Sequence, residues 1–99
     1  MPTFLLLTRV DSDAAGSPGD LEHLEQQAMQ HIRSECPEVH WQRSYAALGP
    51  YDYVDIFDAP DIDTATKVSM IIRTYGHAHS EVWPLTDWNR FKEMIHEAA

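Results

Sequence analysis

The sequence predicts an α+β fold in which two helices cover one face of a four-stranded antiparallel sheet. Four short segments rich in β-branched and aromatic residues alternate with segments whose apolar residues recur at helical spacing. Their order along the chain is β, α, β, β, α, β, and one further helix follows. A length of 99 residues suits a single domain, residues 1–99.

The first two elements are a buried strand and a helix. Residues 3–10 (TFLLLTRV) form an apolar run, and the loop 11–19 after it contains glycine and proline. Asp20 is predicted to cap the helix, and Pro37 ends it. One side of this helix is apolar at the spacing of a helical face: Leu21, Leu24, Ala28 and Ile32.

A hairpin and a second helix follow. Residues 39–45 and 53–59 have strand character and are joined through Gly49 and Pro50, which predicts an antiparallel pair. Asp61 is predicted to cap the second helix, and Gly76 to end it in the left-handed conformation. The inward side of this helix is predicted to consist of Ala65, Val68, Ser69 and Ile72.

The last strand and helix complete the pattern. Residues 77–83 alternate strictly, and beyond Pro84 a cap at Thr86 begins a terminal helix with Trp88, Phe91 and Ile95 on one side. The order of elements is the split βαβ arrangement of ferredoxin-like folds, with an extra C-terminal helix. Because both main helices pack on one face of the sheet, the other face needs a cover.

Charge and composition exclude several partners. Sixteen acidic residues against seven Lys and Arg give a net charge of −9, which repels phosphate backbones and anionic membranes, so we expect no nucleic acid and no membrane as partners. The single cysteine, Cys36, excludes an intramolecular disulfide. The sequence shows neither a signal-peptide core nor a membrane span, which predicts a cytoplasmic protein.

Strand alternation predicts which side chains share the uncovered face. Ala78, Ser80 and Val82 suit the helices, which sends His77, His79, Glu81 and Trp83 to the other side. In the preceding strand Val54 and Ile56 are predicted to face the helices, which sends three residues to the side of the histidines: Tyr53, Asp55 and Phe57. Without a bulge, Trp41, Arg43 and Tyr45 join them. Such an aromatic and polar face predicts a homodimer interface that encloses a polar pocket.

Two segments carry a family resemblance. LGPYDYVDIFDAPD (48–61) and KVSMIIRTYGHAHSEVWP (67–84) resemble the GYD domain family, whose Gly, Tyr and Asp are here Gly49, Tyr51 and Asp52. The resemblance implies a ferredoxin-like protomer of the dimeric α/β-barrel superfamily, in which two sheets pack face to face. It implies no function, because the family is largely uncharacterised. From the residues themselves, we interpret Gly49, Tyr51 and Asp52 as a structural turn motif.

The predicted face offers candidate metal ligands. Two imidazoles and a carboxylate with open positions suit a divalent transition metal such as Fe, Mn, Zn or Ni. The alternative is a hydrogen-bonded dimer seam that holds no metal. The candidate ligands are His77, His79, Glu81 and Asp55.

Three classes of function stay open. One is binding of a small molecule by Arg43, Tyr45, Tyr53, Asp55, Phe57 and Trp83. A second, implied by likeness to the superfamily, is a cofactor-free monooxygenase or isomerase of small organic compounds. In that case His77 or His79 would move a proton while Arg43 holds a carboxylate. The third is a purely structural or ligand-sensing module. The sequence names neither a catalytic residue nor a ligand.

Overall fold

Seven elements follow one another in the order that the sequence predicts. The computed structural model describes residues 1–14 and 16–98. The elements are β1 (Thr3–Val10), α1 (Pro18–Glu35), β2 (His40–Ala46), β3 (Tyr53–Asp58), α2 (Ile62–Tyr75), β4 (Ala78–Leu85) and α3 (Trp88–Ala98). Within the described residues, no helix combines the length and hydropathy that a membrane crossing requires.

The sheet has the strand order β2, β3, β1, β4, and every neighbouring pair is antiparallel. Both α1 and α2 lie on one of its faces, which confirms the ferredoxin-like α+β fold. The core between these layers contains Leu6, Phe57 and Val68, each fully buried. The Phe57 ring stacks between Phe4 and Trp41, with ring centroids 5.5 and 5.4 Å away. Strands β1 and β3 therefore hold the centre of the core.

Two of the three predicted helix caps are wrong by a few residues. Ser17, not Asp20, caps α1: its Oγ accepts from the Asp20 amide at 3.3 Å, and the following proline has the backbone geometry of a first helical position. Asp61 caps α2 as predicted, accepting from the Thr64 amide at 2.7 Å. At α3, Asp87 rather than Thr86 accepts from the free amides of the first turn.

The end of α2 differs from the predicted left-handed glycine. Gly76 has ordinary helical geometry (φ −87°), and the positive φ of 48° falls on the next residue, His77. Gly76 is required for a different reason: a Cβ on it would lie 2.6 Å from the carbonyl oxygen of Ile72. The glycine serves close packing rather than backbone reversal.

The terminal helix stands apart from the rest of the fold. Among the described residues, α3 packs against no other element, and the molecule measures 53 × 30 × 17 Å. Its radius of gyration of 15.1 Å exceeds the value of about 13 Å typical of compact domains of this length. The predicted apolar side of α3 is therefore exposed in the single chain.

Candidate functional site

A cleft of about 230 Å³ opens between α1 and the sheet. It forms because α1 packs on α2 but not closely on the strands: within the described chain, no Cα of α1 lies within 8 Å of a strand Cα. Helix α1 contributes a mainly apolar wall through Leu21, Leu24 and Ala28. The floor is the helix-facing side of β1, β2 and β3.

Asp55 is the buried acid of this cleft. Its register partners are Leu6 on β1 and Ser44 on β2, so it shares the helix-facing side of the sheet and retains only 9% of its surface exposure. Burial raises the pKa of Asp55; hydrogen bonds from Ser44 and Trp41 act in the opposite direction, and the charge of Glu25 adds to the rise. The structure thus places a carboxyl group with a raised pKa in an aromatic and apolar setting.

Two more polar groups lie on the same floor. Thr8 is 4% exposed, and its Oγ1 has no hydrogen-bond partner among the described residues. Most buried hydroxyls do have a partner, and Ser80 on the adjacent strand shows this, since its Oγ lies 2.5 Å from Ser69 Oγ. Tyr53 also lines the cleft, and burial raises the pKa of its phenol. Thr8 is therefore a lining residue of the cleft whose buried hydroxyl is unsatisfied.

The lining has one sign of charge. Glu25 on α1 and Asp55 on β3 both line the cleft, whereas none of the described lining residues is a Lys, Arg or His. Glu25 is exposed and stands at the α1 side of the cleft, while Asp55 is buried at its floor. Whatever occupies this space meets aromatic rings, hydroxyls and carboxyl groups.

The opposite face of the sheet is apolar at its centre and polar near the end of β1. Leu5 and Leu7 of β1 pair with Ile56 and Val54 of β3, so these four side chains share the uncovered face. At one edge the Arg43 guanidinium carbon lies 5.3 Å from the centroid of the Tyr45 ring. Trp83, about half exposed, stands beside Leu5 on the other side.

Glu81, on this uncovered face, contacts three side chains that can donate hydrogen bonds. It accepts a hydrogen bond from the Tyr51 hydroxyl and one from Trp83 Nε1 at 3.2 Å, and His79 Nε2 lies 3.4 Å from its carboxylate. The Tyr51 bond is the main reason that the pKa of Glu81 is lowered, and the same bond raises the pKa of Tyr51. These contacts fix Glu81 as a charged acceptor.

The predicted face of β3 is wrong. Val54 and Ile56 lie on the uncovered face, while Tyr53, Asp55 and Phe57 face the helices. The reason is the register with β1: Asp55 pairs with Leu6, and Phe57 pairs with Phe4, the residues that β1 buries under the helices. The six predicted ligand-binding residues are thereby divided. Tyr53, Asp55 and Phe57 lie on the helix side, and Arg43, Tyr45 and Trp83 lie on strand positions of the other.

A bulge decides the face of β2. The register shifts between Trp41 and Arg43, so Trp41 pairs with Phe57 on the helix side, while Arg43 pairs with Ile56 on the uncovered side. The expectation that Trp41 and Arg43 share a face held only without a bulge. Tyr45, on the edge strand, has its register position on the uncovered face and also borders the cleft.

The four predicted metal ligands do not form one site. Asp55 lies on the opposite face from His79 and Glu81, and His77 precedes β4 in a loop beside Asp11. Within residues 1–14 and 16–98, no group of three or more His, Cys, Asp or Glu side chains is placed to hold a metal ion. His79 and Glu81 stay a predicted pair of ligands.

The Gly, Tyr, Asp motif makes structural contacts. The Asp52 carboxylate accepts from the Val10 amide at 2.8 Å, and the Asp52 amide donates to the Thr8 carbonyl at 2.7 Å. Asp52 thus holds the segment between β2 and β3 to the end of β1, while Tyr51 reaches Glu81. These contacts agree with the structural interpretation. The amide that donates to the Asp52 carboxylate belongs to Val10 of β1.

Sequence reasoning missed Thr8, Ser44 and Glu25 as site residues. Thr8 had a signal: it is the polar member of the alternate set that contains Phe4 and Leu6. Ser44 lies on the helix side because its register partner is Asp55, and Glu25 resembles every other exposed acid of α1. Neither of these two residues carries a local mark in the sequence.

The fold and the cleft together define a ferredoxin-like α+β domain with a cavity between its first helix and its sheet. The model of the GYD domain family matches residues 4–95 of the sequence, so the chain belongs to the GYD domain family. That membership confirms what residues 48–61 and 67–84 indicate.

Solved structures with a similar fold include the leucine response regulatory protein (LrpA) of Mycobacterium tuberculosis. The superposition has a TM-score of 0.61 at 16% sequence identity and covers 87% of this chain and 51% of that chain. This chain therefore spans about half the length of that protein, and the likeness shows a shared fold alone. No curated protein matches the sequence.

Proposed function

We propose that this protein binds a small organic molecule in the cleft between α1 and the sheet. The observation that carries the proposal is the unpartnered hydroxyl of Thr8, which lies with the buried carboxyl of Asp55 on an otherwise largely apolar floor. Ligand sites in proteins have this composition: an apolar concavity with a few convergent polar groups. A ligand that hydrogen-bonds to Thr8 would remove the cost of leaving that group unpaired.

The size of the cleft limits the ligand. Its volume of about 230 Å³ exceeds that of a cavity of about 150 Å³, which holds benzene. One aromatic ring with a short substituent, or an aliphatic body of similar bulk, therefore fits. Larger molecules would extend past Ala46 and Tyr45, which border the cleft on the edge strand β2.

A pair of tryptophan variants tests the site. Ala46→Trp places a large ring at the border of the cleft on an exposed edge-strand position, and Leu48→Trp adds the same ring at a fully exposed position that does not line it. Fragments of one ring are screened by thermal shift. We expect binders whose stabilisation is lost in Ala46→Trp and kept in Leu48→Trp. The proposal fails if no fragment binds, or if both variants respond like the wild type.

A second candidate is proton transfer to or from the bound molecule by Asp55. The buried carboxyl, whose pKa is raised, favours this role, because a general acid or base works best when its pKa approaches the ambient pH. His77 and His79, the predicted proton-transfer residues, lie outside the cleft lining. For a neutral substrate that turns over, Asp55→Asn should abolish turnover yet keep binding. Unchanged turnover in this variant would remove the candidate.

We also propose that the uncovered sheet face associates with a second copy of the chain. The half-buried Leu5, Val54 and Ile56 form an apolar centre there beside the buried Leu7, and α3 exposes a further apolar side: Trp88, Phe91, Met94 and Ile95. The radius of gyration of the single chain is larger than that of a compact domain of this length, which supports a partner that covers these surfaces. Light scattering should show a dimer for the wild type and for Leu48→Lys, and a monomer for Ile56→Lys. A monomeric wild type would contradict this.

A further inference from the structure

We propose that the ligand of the cleft is an organic cation, an aromatic or aliphatic body that carries a protonated amine directed at Asp55. This inference rests on the proposed function and names its ligand class.

The lining supplies negative charge without a counter-ion. Asp55 and Glu25 are its two acids, and no described lining residue is basic. Two arginines have other contacts: Arg43 stands over the ring of Tyr45, with its own register position on the uncovered face, and Arg73 donates to the Ser80 carbonyl at 2.6 Å. A bound carboxylate would add a third negative charge to a poorly solvated space, whereas a bound ammonium would pair with the acids already there.

The rings around the acids suit the same ligand. Trp41 and Tyr53 both line the cleft on the side of Asp55. Aromatic faces attract cations, and proteins combine such rings with carboxylates to recognise ammonium groups. A neutral aromatic ligand would use the rings equally well but would leave both carboxyl groups without an opposite charge, so the combination favours a cation.

Thr8 completes the site. A hydroxyl has two acceptor lone pairs as well as one donor, so the unpartnered Oγ1 can accept an N–H from an ammonium whose other hydrogens reach Asp55. An ammonium has three donors, all of which must be satisfied once it is buried. The net charge of −9 acts in the same direction at longer range, because it raises the local concentration of cations.

Three probes that share one ring and differ in charge test the inference: benzylammonium, benzyl alcohol and benzoate. We expect calorimetry to show benzylammonium binding about tenfold tighter than benzyl alcohol, the factor that one charge-assisted hydrogen bond supplies, with benzoate weakest. Asp55→Asn should weaken benzylammonium about tenfold and leave benzyl alcohol within about twofold. Glu25→Gln, at an exposed helix position, should weaken benzylammonium about twofold without any risk to folding.

A matched control separates the cleft from general surface attraction. Glu22→Gln removes one exposed charge from α1 at a residue outside the lining, and it should leave benzylammonium affinity unchanged. An equal loss of affinity in Glu22→Gln and Glu25→Gln would overturn the inference, because the attraction would then be unspecific.

The remaining outcomes distinguish the two proposals. If benzyl alcohol or benzoate binds as tightly as benzylammonium and Ala46→Trp blocks that binding, the organic cation is wrong and the ligand site stands. If none of the three probes binds and no fragment of the wider screen responds to Ala46→Trp, the ligand site itself is wrong.

Discussion

A substitution at Thr8 measures how far its unpaired hydroxyl lowers the free energy of unfolding. Its Oγ1 is buried and has no partner among the described residues, so the hydroxyl gives up its bonds to water on folding and gains none in return. Valine has nearly the same shape and also suits a strand. Thr8→Val should therefore stabilise the protein, which is unusual for a substitution in a buried strand.

The magnitude follows from the state of the hydroxyl. Leaving a buried polar group unsatisfied costs about 1–3 kcal/mol, so the free energy of unfolding should rise by about that amount. For a domain of this size the melting temperature should rise by at least about 4 °C. Urea denaturation gives the free energy, and all variants are compared at one protein concentration because self-association would otherwise contribute.

The matched control is Thr3→Val on the same strand. Thr3 Oγ1 donates to Asp58 Oδ1 at 2.7 Å, so the same change should here lower the free energy of unfolding by about 1 kcal/mol. Opposite signs at the two positions would establish that Thr8 is unsatisfied in the free protein. If Thr8→Val destabilises the protein as much as Thr3→Val does, the Thr8 hydroxyl has a partner. The proposed ligand site then loses the main observation that supports it.

Three further variants test other parts of the structure. Asp52→Ala should lower the free energy of unfolding by about 1 kcal/mol in urea, since the Val10 amide loses its acceptor; an unchanged value would contradict the structural role of the motif. Gly76→Ala should lower the free energy of unfolding by about 1–3 kcal/mol, because the new Cβ would lie 2.6 Å from the Ile72 carbonyl oxygen. The control, Gly49→Ala, should be nearly neutral, because a Cβ there meets nothing within 4 Å. Equal effects of the two variants would refute this reasoning. Asp55→Asn should stabilise the protein at neutral pH. The folded chain holds the Asp55 proton to higher pH than the unfolded chain does. The free energy of unfolding of the wild type therefore falls as pH rises from the ordinary pKa of 3.8 through the raised folded value. Thermal melts across pH should show the gain vanish below that ordinary pKa, and a gain that persists there would count against burial as its cause.

The elements of the fold were predictable because their signals are local. The apolar run of β1 and the stripe of Ala28 and Ile32 on α1 identify their buried sides without any knowledge of the neighbours. The capping side chain of Asp61 acts within one helical turn, and the structure places it as predicted. Where competing caps lie close together, as Ser17 and Asp20 do, local sequence allowed either.

The candidate site was not predictable in the same way, because the face of β3 depends on its partner strand. Both alternate sets of β3 contain large apolar residues, Val54 and Ile56 in one and Phe57 in the other, so alternation alone allows either orientation. Pairing with Leu6 and Phe4 of β1 decides the matter. The buried Asp55 also departs from the ordinary rule that carboxylates stay out of interiors, so composition does not favour the observed orientation.

The two proposals consequently concern opposite faces of the sheet. Phe4, Leu6 and Thr8 of β1 face the helices and the cleft, while Leu5 and Leu7 of the same strand face the other way. The sequence suggested a pocket enclosed by a dimer interface, in which ligand binding would depend on assembly. With Asp55 on the helix side, the proposed ligand and the proposed second copy contact opposite sides of one sheet. Because Ile56 lies on the face opposite the cleft, a monomeric Ile56→Lys variant should keep its cleft, and affinity for an organic cation should not depend on self-association.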